Sequence, residues 1–152
     1  MTFAVDHRFE FAIVGLHDEV YGGKVEYGHW ETEGKPALRL ARSVAGAAGQ
    51  YLFQHRNATD QEIELEATKH MSGGDRDRAE GALSEAGFVT DLKDEIIRVA
   101  TRHAYRNLVH NVAHVEAVAN LLLSRPGEEV KCSEVEAVIT GAVKKFGDRN
   151  KW

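Results

Sequence analysis

From Arg8 to Gly15 (RFEFAIVG) polar and apolar positions alternate and then give way to an unbroken apolar run, the pattern of a strand. HDEVYGG follows, with Gly22-Gly23 as a turn signal, and KVEYG reads as a second strand. The pair predicts a small hairpin or sheet edge, which needs a helical layer against it to be stable. From Pro36 the period lengthens. Pro36 suits the first turn of a helix, where its missing N–H has no partner to lose. Leu38, Leu40, Ala41, Val44, Ala45, Ala48, Leu52 and Phe53 then give ALRLARSVAGAAGQYLF a broad apolar face. Gly46 and Gly49 lie within that helix. Each costs about 1 kcal/mol against alanine there, so they predict close approach of another element.

Thr59-x-x-Glu62 predicts a capping box that opens a short helix to about His70. Ser72-Gly73-Gly74 interrupts the pattern, and RDRAEGALSEA predicts a helix starting at Arg76 with Asp75 as its N-cap. The strongest periodicity runs from Asp91 to Ser124. Tyr105, Leu108, Val112, Val115, Ala119 and Leu122 follow one another at spacings of three and four, an apolar seam along one helix. Upstream, Leu92, Ile96 and Val99 are out of phase with it, which predicts a kink near Thr101. Arg125-Pro126-Gly127 ends the helix. Ser133-x-x-Glu136 predicts a second capping box and a last helix to about Phe146, before a loose tail, DRNKW. The fold expected is mainly α (α+β), about five helices with a small N-terminal β-hairpin or sheet edge, in one domain over 1–152.

Composition narrows the function classes. The 152 residues are 43% hydrophobic and 28% charged, ordinary globular usage. The net charge of -5 supplies no basic stripe for nucleic acid, so no nucleic-acid partner is expected. No apolar run approaches the roughly 18 residues of a membrane span, and MTFAVDHRFEF does not read as a signal peptide. A cytoplasmic location and no membrane partner are expected. Cys132 is the single cysteine, which rules out an internal disulfide, and its acidic neighbours Glu128, Glu129 and Glu134 oppose thiolate formation.

His110-Asn-Val-Ala-His114 has the i, i+4 histidine spacing that zinc peptidases use. Those enzymes place a glutamate after the first histidine to take a proton from zinc-bound water, and Asn111 cannot do that. At about 100° per residue, His103, His110 and His114 fall on one stripe opposite the Tyr105–Leu122 seam, which predicts a solvated face. Ser72-Gly73-Gly74-Asp75 has neither the preceding strand nor the lysine of a phosphate loop. Glu26, Glu31 and Glu33 flank a turn, and His7, His17, His29, His55 and His70 are scattered. These residues single out no catalytic, cofactor-binding or metal-binding position.

The order of elements adds something. KVEYG, then Gly46-Ala47-Ala48-Gly49-Gln50 in a helix, then Asp75-Arg-Asp-Arg-Ala79 opening a helix, then AYRNLVHNVAHVEAVANLLL, resembles the peptidase domain of the FtsH family of ATP-dependent zinc metalloproteases. The resemblance covers about Arg8 to Phe146. It implies that Gln50 stands in an acidic position of the family's Gly-x-Ala-Ala-Glu signature and that Asp75 matches its third zinc ligand. The family's His-Glu-x-x-His helix precedes the strand matched by RFEFAIVG, and the residues before that strand contain no such motif. A catalytic zinc needs three protein ligands, so the resemblance implies a non-catalytic homologue, a pseudoenzyme without cofactor that binds a protein partner or a second copy of itself. Two alternatives remain open: a zinc peptidase whose catalytic helix is missing because the start is truncated, and a weak metal-binding helical protein using His110 and His114.

Overall fold

The computed structural model describes residues 11–17, 20–26 and 36–146, with side chains over 36–141. It is mainly helical. Its elements are strands β1 (Phe11–His17), β2 (Val20–Glu26) and β3 (Val130–Lys131) and helices α1 (Pro36–Gln54), α2 (Asp60–Glu66), α3 (Gly73–Glu85), α4 (Thr90–His110), α5 (Val112–Ser124) and α6 (Cys132–Phe146). A 3-10 turn, Ala67–His70, follows α2. They divide into two compact units: Lys35–His110, which holds α1 to α4, and the segments on either side of it.

In the helical unit α1 packs against α3 and α4. One apolar cluster joins Ala48, Tyr51 and Leu52 of α1 to Ala58, Ile63, Ala67 and Tyr105. A second joins Val44 to Ala79, Leu83 and Ile97. Ile63 is fully buried, which is worth roughly 1.5–3 kcal/mol for such a side chain. The Thr59–Glu62 capping box forms as the sequence predicts, each side chain bonding the other residue's N–H. The segment joining α1 to α2 is clasped by α4. Tyr105 donates its hydroxyl to His55 O (2.5 Å) and accepts from Ala58 N–H (3.3 Å). Arg106 donates Nε and Nη2 to Asp60 Oδ1 (3.0 and 2.8 Å) and Nη2 also to Ala58 O (3.1 Å).

Several expectations need correction here. Thr101 marks no kink: it is fully buried within α4, and its hydroxyl donates to Ile97 O at 2.7 Å. Ile97, Thr101 and Tyr105, four apart, carry the buried face of α4. A threonine with its hydroxyl satisfied internally packs like an apolar residue, and counting only apolar letters breaks the seam there. Leu92 is exposed, and Ile96 and Val99 are only half-buried. The helix breaks instead at Asn111, between α4 and α5. On α1, Tyr51, Ser43 and Ala47 are buried, whereas Phe53, Ala41 and Ala45 are exposed. Asp75 is not the cap of α3. Ser72 is, its Oγ accepting from Asp75 N–H at 3.1 Å, so the helix starts at Gly73. Neither glycine of α1 marks a tight approach. A Cβ on Gly49 would meet Leu108 at 3.7 Å and one on Gly46 would meet Asp75 at 4.0 Å, ordinary packing distances.

In the other unit the strand order is β2-β1-β3, antiparallel throughout. Gly22 and Gly23 pair with Gly15 and Val14, so they stand inside β2 rather than in its turn. Arg8–Glu10, Tyr27, Gly28 and the DRNKW tail lie outside the described residues. Val130, Val135 and Ile139 form a core lined by Val118, Leu121 and Leu122 of α5. Ala119, expected in the seam, is exposed. The start of α6 also differs from expectation. Glu134, not Ser133, closes it, accepting from Lys131 N–H at 2.8 Å, because the helix begins two residues earlier than that box implies, at Cys132. Arg125 spans Glu128 (2.9 Å) and Glu134 (2.5 Å).

Candidate functional site

The helical unit carries two surface features. The first is an apolar corner. Helix α3 ends in Gly87, whose φ of +90° lets Gly87 N–H reach Ser84 O and Phe88 N–H reach Leu83 O. This left-handed ending suits glycine, which has no Cβ to strain. It delivers Phe88 and Val89 to the corner before α4, and Leu92 follows in the first turn. Their exposures are 45%, 62% and 46%.

The second feature is an open groove of about 530 Å³ lined by Glu64 of α2 and Asp91, Asp94, Glu95, Arg98, Val99 and Arg102 of α4. The α4 members recur at spacings of three and four, so they share one helix face. That row was legible in the sequence, but a search for apolar periodicity passes over it. Arg102 pairs with Glu64 at 2.7 Å and Asp94 with Arg76 at 3.1 Å. Four carboxylates thus face two guanidiniums, and even with Arg76 on Asp94 from outside the lining the groove stays net negative.

A buried aromatic pair lies beneath the α1–α2 segment. The Tyr51 ring sits 6.2 Å from Tyr105, 4.5 Å from His55 and 6.0 Å from His70. Burial pushes the Tyr51 phenol up, helped by Glu62, Glu66 and Tyr105. Arg106, through its hydrogen bond first, holds the Asp60 carboxyl below its usual range. Lys131 N–H and then Arg125 do the same for Glu134, and Glu128 and Glu134 raise Arg125.

The sequence-selected residues are scattered across these features. His103 and His110 are exposed, as the solvated-face reading expects, but His114 is buried at 6% exposure, with Nδ1 3.3 Å from Asn111 Oδ1. The break at Asn111 removes the continuous helix on which the i, i+4 spacing of His110 and His114 depends. Cys132 is half-buried, its Sγ 3.9 Å from Glu136 Oε1. Glu31, Glu33, His7 and His29 lie outside the described residues. Gln50 is exposed on α1. One pair does come together. Asp75 Oδ2 lies 4.0 Å from the position a Cβ would take on Gly46, and its Oδ1 accepts from Arg78 Nη1 at 3.1 Å. Among the described residues no three or more His, Cys, Asp or Glu side chains are grouped so that they could hold a metal ion. Nor is any helix among them long and apolar enough to cross a membrane.

Compared with family models, with curated proteins and with solved structures, the chain has no match.

Proposed function

We propose that this chain is a non-catalytic, protein-binding or regulatory module on a scaffold related to the FtsH-type peptidase domain. The observation that carries the binding reading is the apolar corner of Phe88, Val89 and Leu92. Apolar side chains held in water forgo roughly 1.5–3 kcal/mol apiece relative to full burial, and a covering protein surface recovers part of that. Adjacent exposed apolar residues are a common mark of an interaction surface. The peptidase relation rests on the order of motifs along the sequence. The non-catalytic reading is supported by the lack of a His-Glu-x-x-His motif in the sequence.

The test compares partner capture from extracts of the native cells by the wild type and by Phe88→Ser with Leu92→Ser. A protein held by the wild type and lost from the double variant, with the thermal midpoint unchanged, is the expected result. Equal capture by both would sink the corner as the binding surface. Zinc-dependent proteolysis of casein that copurifies with the protein would sink the non-catalytic reading.

The same order of motifs carries a second reading, in which the chain is part of a zinc peptidase whose His-Glu-x-x-His helix is missing from this sequence. Zinc would then raise the melting temperature of the wild type, and Asp75→Asn would abolish that rise. No effect of zinc on either protein would count against it.

A further inference from the structure

We draw no further inference here: the strongest candidate, the groove between α2 and α4 lined by Glu64, Asp91, Asp94, Glu95, Arg98 and Arg102, is a mainly acidic cluster of surface charges with no second observation that points to a ligand.

Discussion

Tyr105→Phe isolates one hydroxyl in the middle of the helical unit. Tyr105 is fully buried, and its hydroxyl is the partner of two backbone groups, His55 C=O and Ala58 N–H. Phenylalanine keeps the ring, so the packing against Tyr51 and Ile63 is retained and only the polar contacts disappear. Ala58 is itself buried, which leaves its N–H without water or protein to bond. An unsatisfied buried donor costs about 1–3 kcal/mol. His55 is exposed, so water can replace the bond to its carbonyl at smaller cost. The expected loss is therefore about 2 kcal/mol, and for a chain of this length that lowers the melting temperature by about 4–8 °C. Urea unfolding followed by circular dichroism should show a lower midpoint with an unchanged slope, the signature of a stability change without a change in exposed surface. Phe53→Ser serves as the contrast, since that ring is 80% exposed and its loss should move stability by no more than about 0.5 kcal/mol. A Tyr105→Phe protein that unfolds at the wild-type midpoint would show that the Tyr105 hydroxyl contributes nothing to the clasp on the α1–α2 segment.

Three further outcomes are expected. Ser72→Ala should cost about 1 kcal/mol by removing the cap of α3, whereas Asp75→Ala should cost clearly less in thermal melts; the reverse order would restore Asp75 as the cap. His114→Ala should cost about 1–3 kcal/mol, a usual range for a disrupted buried side chain, while His110→Ala stays within about 0.5 kcal/mol; equal, neutral effects in denaturant titrations would mean that His114 is not packed. Asp60 and Glu134 both titrate below their unfolded values, so the stability they add is complete above about pH 5 and fades as pH falls through their depressed folded values. Asp60→Asn and Glu134→Gln should each flatten the acid limb of a melting-temperature profile, and a limb unchanged in both variants would refute those assignments.

Apolar periodicity locates the helices well because most buried positions on α1 and α6 are written in apolar letters. It failed where burial is carried by other means. Thr101 enters the core by bonding its hydroxyl to Ile97 O, and His114 is buried although histidine reads as a surface residue in a stripe. Caps were legible in kind but not always in place. Thr59–Glu62 matched residue for residue, whereas Ser72 and Glu134 each had a neighbour, Asp75 and Ser133, with the same chemical credentials. The choice between such neighbours depends on where the helix starts, which packing decides. The corner at Phe88 was hidden for a different reason. A Gly-Phe-Val step looks like an ordinary helix ending, and only the backbone shows that its apolar side chains emerge uncovered.

The pairing of β1 with β3 sets a timetable for the chain. Phe11 is opposite Lys131, so the contact joins residues 131 − 11 = 120 positions apart, while Lys35–His110 is one unbroken stretch with its own apolar clusters. On a ribosome, which releases the chain from its N-terminus at about 5–20 residues per second, the helical unit is complete once His110 has emerged. Strand β1 is synthesised first but must wait for the last fifth of the chain before β3 can lie against it. Until then its far edge has no β3 beside it, and unpaired strand edges in unfinished chains are where aggregation starts. A chain held with His110 outside the ribosome and Val130 still inside it would therefore present a finished helical unit beside a sheet that is still incomplete.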